Sequence, residues 1–383
     1  MFGRRFHLFT LFGFPVYLDL SWFIILVLVT WSLAEGVFGN DEMYPGLVGD
    51  VAVRWTMGII GALGLFASVL LHELGHAKVA EARGLPMRGI TLFIFGGVAE
   101  MSDEPPSAKT EFLVAVAGPI VSILIGAVLG GIWFLGKEMT WPLTVTAVVG
   151  YVSVINFVLV GFNIIPAFPL DGGRVLRSII WQASGKLEKA TRITSAIGSG
   201  FAFVLMGMAI LFLITGNLIA ALWWFLIGLF LRGAAQGSYQ RLILRRALEG
   251  EPVHKFMNDR PVTVPPDATI DRVVHDYLYR YHFKMLPVVE GEQLQGCLLM
   301  SQVKQVPREQ WEQTRVADVV RGCEPGNTID ADDDALNALS RMNENQVSRL
   351  MVLEDGRLVG VISLKDLMSF LSMKVELEED RAA

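Results

Sequence analysis

Two histidines and a glutamate stand at the end of an apolar run, in the segment LFASVLLHELGHAKVAEARG at residues 65–84. In an α-helix, His72 and His76 are one turn apart on the same face, so each can turn a ring nitrogen towards one Zn2+ ion. Glu73 lies beside them and could take a proton from a water that the metal activates. Ionisable groups are costly in a bilayer unless they are paired or used. The pattern therefore predicts a metal site.

A zinc ion needs a further protein ligand from another element, and the best candidate lies in NIIPAFPLDGGRVLRSIIW at residues 163–181. Pro166 and Pro169 exclude a regular helix through this segment, which presents Asp171 just before a glycine pair. An aspartate in this position could also serve only as a helix cap. Beside an H-E-x-x-H pattern, the ligand interpretation is favoured.

The elements that must position these residues are predominantly apolar. Of the 383 residues, 52% are hydrophobic and 18% are charged, which is too apolar for an ordinary soluble enzyme. A spanning helix needs about 20 apolar residues, and the apolar runs predict six spans. These runs fall near residues 17–34, 52–79, 108–135, 143–165, 193–215 and 217–231. The opening GRRFHLFTLFGF is similar to a signal sequence without a clear cleavage site, so we expect an uncleaved first span.

Charge is unevenly distributed along the chain. Residues 1–248 carry 17 Lys and Arg against 14 Asp and Glu, whereas residues 249–383 carry 15 against 24. Basic residues concentrate on one side of the six-span arrangement, which predicts cytoplasmic N- and C-termini. We expect no nucleic acid among the partners. Both cysteines, Cys297 and Cys323, lie in the acidic part, so neither a disulfide framework nor a thiolate metal cluster is predicted, as suits a reducing compartment.

The acidic part contains an internal repeat. MLPVVEGEQLQGCLLMSQV (285–303) aligns without gaps on RLMVLEDGRLVGVISLKDL (349–367), at an offset of 64 residues. Each copy predicts a strand, a turn, a strand and a helix, and each follows a helical stretch. Two such units together can bury one core.

This repeat resembles a tandem pair of CBS domains. The resemblance implies that a G-x-x-[ST]-x-x-D stretch could hold ATP, ADP or AMP. The second copy keeps this stretch as Gly360, Ser363 and Asp366, whereas the first copy has Leu299 and Gln302 instead. At most one ordinary nucleotide site is therefore expected. The alternative is that the pair only docks or forms a homo-oligomer.

Together, these features resemble the site-2 protease family of intramembrane zinc metalloproteases, in particular its branch with six spans and a C-terminal CBS pair. The resemblance implies that His72, His76 and Asp171 are metal ligands and that Glu73 is the general base. It also implies that Asn163, in the run N-x-x-P-x-x-P-L-D-G, lies near the scissile peptide, where its amide could stabilise an oxyanion.

Two further segments fit this resemblance. MRGITLFIFGGVAEM (87–101) has a β-branched and aromatic run ending in Gly96 and Gly97, which predicts a hairpin. In the family, such a hairpin is thought to hold an extended substrate by strand addition, and the alternative is a plain cytoplasmic hairpin. AGPIVS (117–122) opens a glycine-dotted span in which Gly118 is expected to serve helix packing rather than chemistry.

The fold class predicted is a polytopic α-helical membrane domain of about six spans, with a short β-hairpin near the active site, followed by a cytosolic α/β tandem CBS pair. The expected boundaries are a membrane domain at 1–232, a linker at 233–250, a CBS pair at 251–376 (copies at about 252–306 and 314–372) and an acidic tail at 377–383.

The function expected is zinc-dependent endopeptidase cleavage of transmembrane or membrane-tethered protein substrates within the lipid bilayer of a bacterial or archaeal cell membrane, regulated by adenine nucleotide. One alternative is a transporter or channel gated by the CBS pair. Such a protein would place polar residues at the midplane between related halves, whereas here they cluster towards the cytoplasmic side. A second alternative, an inactive scaffold of the same fold, is disfavoured by the intact H-E-x-x-H and L-D-G patterns.

Overall fold

The chain divides into two compact units, Met1–Gln240 and Arg241–Ala383. The computed structural model describes residues 5–45, 50–101, 104–283, 285–291, 293–320, 322–323, 325–345 and 347–379. In the described residues, the first unit consists of long apolar helices and one small sheet. The second unit consists of a five-stranded sheet with shorter helices and has its own apolar core.

Long helices form where the sequence has long apolar runs, because a helix satisfies its backbone hydrogen bonds within the segment itself. The described helices of this unit are α1 (Ser21–Trp31, continued by a π-helical turn over Ser32–Val37), α2 (Val51–Ala82), α3 (Ala108–Glu138), α4 (Leu143–Asn163), α5 (Asp171–Ser184), α6 (Leu187–Ile214) and α7 (Leu218–Leu248).

Among the described residues, the helices α2, α3, α4 and α6 are long and apolar enough to cross a membrane. The apolar helix Ser21–Val37 is shorter than these four. The count of six spans therefore stays a prediction. The helix α5, which begins at Asp171, is short and amphipathic and lies between two of the long helices in the sequence.

A four-stranded sheet accompanies these helices. Its strands are β1 (Arg5–Leu11), β2 (Phe14–Asp19), β3 (Met87–Phe93) and β4 (Gly96–Met101), in the order β1-β2-β3-β4. The β1/β2 and β3/β4 pairs are antiparallel, whereas β2 pairs with β3 in parallel. The end strand β4 follows directly on β3 through a short turn, so residues 87–101 form a hairpin in this structure.

The strands β1 and β2 correct the expectation that a helical span begins at residue 17. In β2, Phe14, Val16 and Leu18 are buried while the residues between them are partly exposed, which is the period of two of a strand. Gly13 has a φ of 90° in the turn that precedes β2. The apolar composition of this stretch suits a span, but its alternation favours pairing with β3. Helix α1 begins only at Ser21.

The C-terminal unit begins within the last turns of α7 and continues through short helices and strands. Its helices are α8 (Ile270–Arg272, continued by a π-helical turn over Val273–Leu278), α9 (Tyr279–Tyr281), α10 (Met300–Val303), α11 (Val316–Val319), α12 (Ala335–Glu344) and α13 (Leu364–Glu379). Its strands are β5 (Met285–Glu290), β6 (Gln293–Leu299), β7 (Thr328–Asp330), β8 (Arg349–Glu354) and β9 (Arg357–Ser363), in the order β5-β6-β9-β8-β7.

The internal repeat is visible in the backbone. Both copies form an antiparallel hairpin, β5/β6 and β8/β9, and the two hairpins meet through the pair of Gln293 with Arg357. The register shifts between Val288 and Val289 in one hairpin and between Val352 and Leu353 in the other. The irregularity therefore recurs at the same offset as the sequence repeat.

The two cysteines correct the expectation that no disulfide is present. Cys297 on β6 is bonded to Cys323, which follows α11, with their Cα atoms 5.2 Å apart. Cys297 is buried with Met285 and Met351 of the two copies. The two cysteines are 26 positions apart in the sequence, and the local sequence gives no sign of this proximity.

Gly360 on β9 permits a close backbone crossing. The backbone groups of Asn258 and Val361 hydrogen bond each other there, at 2.9 and 3.1 Å. A Cβ atom at Gly360 would lie 2.5 Å from Met257 Sδ and 2.9 Å from the Asn258 carbonyl oxygen. This crossing accounts for the glycine without any ligand.

We therefore expect Gly360→Ala to destabilise the C-terminal unit, because overpacking a closed site costs about 1–3 kcal/mol. Thermal unfolding of the purified full-length chain measures the effect. Gly322→Ala is the matched control, since no atom lies within 4 Å of a Cβ at Gly322. Equal unfolding temperatures for the two variants would contradict this account of Gly360.

Candidate metal centre

Three of the residues singled out in the sequence meet at one point of the N-terminal unit. The Nε2 atom of His72 lies 3.0 Å from Asp171 Oδ2, that of His76 lies 3.2 Å from Asp171 Oδ1, and the two Nε2 atoms are 3.1 Å apart. The residues are 5%, 4% and 8% exposed. These are the residues in the described structure whose ligand atoms are grouped closely enough to hold a metal ion.

The spacing of these three atoms suits a tetrahedral ion. With zinc bonds of about 2.0–2.1 Å to nitrogen and a similar length to oxygen, the atoms of a tetrahedral ligand set lie about 3.3 Å from one another. The observed separations of 3.0–3.2 Å are close to this value. Two imidazole nitrogens and one carboxylate are also a donor set that catalytic zinc sites use. The residues present therefore fit Zn2+.

Each histidine is oriented through its other ring nitrogen. The Nδ1 atom of His76 lies 2.6 Å from the backbone carbonyl oxygen of Val114, an acceptor, so His76 donates there. The Nδ1 atom of His72 lies 3.0 Å from the hydroxyl of Ser122. A protonated Nδ1 leaves the lone pair of Nε2 free for a metal, and such contacts fix the ring orientation. Both partners belong to α3.

Gly118 of α3 lies directly against the three ligand atoms. A Cβ atom at this position would overlap His76 Nε2 and would lie 2.6 Å from His72 Nε2. Gly118 is thus needed for space at the site itself, a role beyond the helix packing expected from the sequence. Val114, Gly118 and Ser122 recur every four residues, so one face of α3 closes this side of the site.

Asp171 is presented by a loop that packs tightly against helices. Cβ atoms at Gly172 and Gly173 would overlap the loop backbone at Ile164 and Phe168, and a Cβ at Gly198 of α6 would overlap the Phe168 carbonyl oxygen. The loop from Ile164 to Leu170 can therefore fold back onto the first turn of α5. This arrangement fixes Asp171 at the start of α5.

The side chain of Glu73 contacts the hairpin. The backbone N–H of Ala99 on β4 donates to Glu73 Oε2 at 3.0 Å. A Cβ at Gly97, two residues earlier on β4, would lie 2.7 Å from Glu73 Cγ. The half-buried carboxylate of Glu73 is thus held at the side of the end strand.

Two asparagines lie on α4. Asn163 is the last residue of the helix and is partly buried. Asn156 is fully buried and donates through Nδ2 to Ser68 Oγ at 2.9 Å and to the Val152 carbonyl at 2.7 Å. Because Ser68 precedes His72 by one turn of α2, Asn156 supports the ligand helix. An asparagine within an apolar run was the sequence signal for it.

The residues singled out in the second CBS copy contact each other. The Ser363 hydroxyl donates to Asp366 Oδ2 at 2.5 Å, and the Asp366 N–H donates to Ser363 Oγ at 3.3 Å, as at a helix start. The Arg349 guanidinium carbon lies 4.1 Å from the centroid of the Phe283 ring. Burial lowers the pKa of Arg349, and the neighbouring charge of Asp366 opposes that shift.

Gly118→Ala should lower the affinity for zinc, because the added methyl group occupies the space next to both Nε2 atoms. Displacing groups around a metal typically costs 10–100-fold in affinity. Zinc retained after dialysis against a chelator measures the effect. Gly131→Ala on the same helix is the matched control, since no atom lies within 4 Å of a Cβ there. Normal zinc retention by Gly118→Ala would refute the steric role.

Comparisons with known proteins match two families along the chain. The sequence profile of Peptidase family M50 matches residues 60–139 and 127–207, and that of the CBS domain matches residues 253–306 and 316–373. Zinc metalloprotease MJ0392 of Methanocaldococcus jannaschii is 31% identical over 97% of this chain and 98% of its own.

Two further comparisons extend over much of the chain. The Synechocystis protein sll0528, whose name also describes a zinc metalloprotease, is 33% identical over 94% of each chain. The solved structure of the site-2 protease from Methanocaldococcus jannaschii is 31% identical, with a TM-score of 0.42, and covers 61% of this chain and 94% of that chain. The chain belongs to Peptidase family M50 and is a zinc metalloendopeptidase of the site-2 protease type that carries a tandem pair of CBS domains.

Proposed function

We propose that this protein is an intramembrane endopeptidase in which His72, His76 and Asp171 hold Zn2+ and Glu73 is the general base. The observation that carries the proposal is the convergence of two Nε2 atoms and a carboxylate at 3.0–3.2 Å among apolar helices. Three such groups are costly in that environment unless they are used. Their convergence also argues against an inactive scaffold.

Zn2+ held by His72, His76 and Asp171 would supply Lewis acidity towards a water and a peptide carbonyl. Glu73 would accept a proton at a carboxylate oxygen as the oxygen of the attacking water bonds to the peptide carbon, and would return that proton to the nitrogen as the peptide C–N bond breaks. The Ala99 N–H orients the Glu73 carboxylate, and the α3 contacts orient the histidines. Each role belongs to a different element around the site.

The substrate proposed is a transmembrane or membrane-tethered protein that presents an extended peptide to β4. A helical substrate must unwind before its amides can be attacked, and an end strand can pair with an extended chain. Within the described sheet, β4 pairs with β3 and is an end strand, and its residues are partly exposed. Its residue Gly97 also brings the backbone close to Glu73.

Asn163 is proposed to stabilise the oxyanion of the attacked carbonyl through its side-chain amide. Its position eight residues before Asp171, at the partly buried end of α4, is compatible with this role. The division into a membrane domain at 1–232, a linker at 233–250, a CBS pair at 251–376 and a tail at 377–383 remains a proposal, as do the cytoplasmic termini. The end of that tail, from residue 380, lies outside the described residues.

Regulation by an adenine nucleotide at Ser363 and Asp366 is a separate part of the proposal. Ser363 offers a hydroxyl for phosphate, Asp366 can accept from ribose hydroxyls, and Arg349 supplies positive charge nearby. Ligand binding would have to replace the mutual hydrogen bond of Ser363 and Asp366. The alternative for the CBS pair is a docking or dimerisation role.

Glu73→Gln tests the mechanism. The three ligands remain in this variant while the proton acceptor is lost, so we expect normal zinc content and a fall in cleavage of about 10²–10⁴-fold. Elemental analysis of the purified protein and cleavage of a single-span substrate in the same preparation measure the two quantities. Proteolysis at a near-normal rate would sink the proposed role of Glu73.

Asp171→Asn is the comparison variant for that experiment. Here an anionic ligand becomes a neutral amide, so zinc content should fall together with cleavage. The two variants thus separate proton transfer from metal binding. Full zinc retention in Asp171→Asn would reduce Asp171 to a helix cap.

Calorimetric titration of the full-length protein with ATP, ADP and AMP tests nucleotide binding. We expect dissociation constants in the range of about micromolar to millimolar, because the net negative charge of this part of the chain opposes a polyphosphate. Asp366→Ala should abolish the heat, whereas Gln302→Ala, at the corresponding position of the first copy, should not. No heat, or equal binding by Asp366→Ala, would leave the CBS pair as a docking or dimerisation element.

A further inference from the structure

A buried ion pair joins α3 to α5 apart from the three ligand residues. Glu111 of α3 is 0% exposed and Arg177 of α5 is 4% exposed. Arg177 Nε donates to Glu111 Oε1 at 2.5 Å, and Arg177 Nη2 pairs with the same oxygen. The second oxygen of Glu111, Oε2, has no hydrogen-bond partner among the described residues. Two nitrogen atoms of Arg177 therefore contact this carboxylate.

The guanidinium of Arg177 has two further contacts. Its Nη2 reaches Glu104 Oε2, ahead of α3, at 3.4 Å. Its central carbon lies 5.1 Å from the centroid of the Phe168 ring, in the loop that leads into Asp171. One side chain of α5 thus contacts α3, the segment before α3, and the loop that presents the third ligand atom.

Glu111 belongs to the same face of α3 as the groups that orient the histidines. Residues 111, 114, 118 and 122 follow one another at intervals of three and four, so they lie along one side of the helix. The Val114 carbonyl and the Ser122 hydroxyl contact the Nδ1 atoms of the two histidines of α2. Helix α3 packs against both α2 and α5, and one stripe of it contacts both ligand-bearing helices.

A charged pair is a costly way to join two buried helices. Removing a carboxylate and a guanidinium from water is unfavourable, and well-packed apolar residues often stabilise as much or more. Apolar side chains, however, tolerate small sliding movements between helices. A guanidinium has fixed donor directions and accepts few positions relative to its carboxylate. The pair is therefore better suited to fixing the position of α5 relative to α3 than to strengthening the contact between the two helices.

We propose that Glu111 and Arg177 are positioning residues for the metal centre. Their ion pair sets α5 against α3 so that the Asp171 carboxylate meets the Nε2 atoms that α3 has oriented on α2. This inference rests on the proposed function, in which those three atoms hold Zn2+. Neither Glu111 nor Arg177 contacts the metal in this account, and both act through Asp171.

The test compares zinc binding with stability in four full-length variants. Glu111→Gln and Arg177→Lys weaken the pair, and the double variant Glu111→Leu with Arg177→Met replaces it by apolar groups. Glu81→Gln is the control, because it breaks an exposed ion pair with Lys78 elsewhere on α2. Zinc content, the rate of zinc transfer to a coloured chelator, the visible spectrum after Co2+ substitution and the melting temperature are measured for each variant.

We expect Glu111→Gln and Arg177→Lys to lose zinc about 10–100-fold faster than the wild type, with an altered Co2+ spectrum, while Glu81→Gln behaves as wild type. The double apolar variant should recover the melting temperature of the wild type but not its zinc retention. That separation distinguishes a positioning role from a general structural role.

Several results would overturn the inference. One is wild-type zinc retention in both single variants, and another is recovery of stability and zinc retention together in the double variant. Equal zinc loss in Glu81→Gln would also do so. If the double variant does not fold, Arg177→Lys decides, since it keeps the charge but lacks the planar fork. Wild-type protein without zinc would instead refute the proposed function, and that result is visible before any variants are compared.

Discussion

The N-terminal unit depends on keeping three polar side chains together inside a group of apolar helices. His72, His76 and Asp171 are nearly inaccessible to solvent, and their ligand atoms lie 3.0–3.2 Å apart. In an apolar surrounding, a carboxylate without a partner is strongly unfavourable. The three groups must therefore satisfy one another or a common cation. Because they come from α2 and α5, these helices and the α3 helix between them have to approach closely and in fixed register.

That close approach depends on glycines, which have no side chain to separate the helices. Gly118 leaves the space next to the two Nε2 atoms, and Gly173 and Gly198 let the loop around Phe168 pack against α5 and α6. In lipid, apolar surfaces gain little from contact with each other, so close backbone packing and hydrogen bonds contribute more to helix association. Small residues at these crossings allow both. The glycines of this unit are therefore part of the geometry of the site, even though none of them offers a ligand atom.

The sequence predicts the contacts between residues that are close together in the chain better than the contacts between distant residues. His72, Glu73 and His76 share one turn of helix, so their spacing alone indicates a metal site. The proline-broken segment marks Asp171, and the CBS repeat is visible because both copies keep the same local pattern. Other relations are tertiary. The contact of His72 with Ser122 joins residues 50 positions apart, and the disulfide and the β2/β3 pairing likewise join distant segments.

Some of these distant contacts are reflected in residues that depart from the surrounding sequence pattern. Glu111 in the first turn of α3 is one such residue, since a buried glutamate requires a cation, and Arg177 is one of two basic residues in the short helix α5. The alternation of buried residues through β2 is a second example. In both cases, the apolar composition of the segment favours a membrane span. The residues that depart from that pattern indicate contacts with distant elements.

Under the proposed function, helix α2 presents the metal ligands and the general base on different faces. His72 and His76 project towards α3 and α5, whereas Glu73 lies about 100° around the helix from His72 and contacts Ala99 of β4. The α3 face occupies one side of the ligand atoms, so under the proposed function a peptide carbonyl approaches from the side of the sheet. A segment that remained helical could not pair with β4, because its backbone groups are already satisfied internally. Under the proposed function, the sheet rather than the helical bundle restricts cleavage to substrate segments that have unwound.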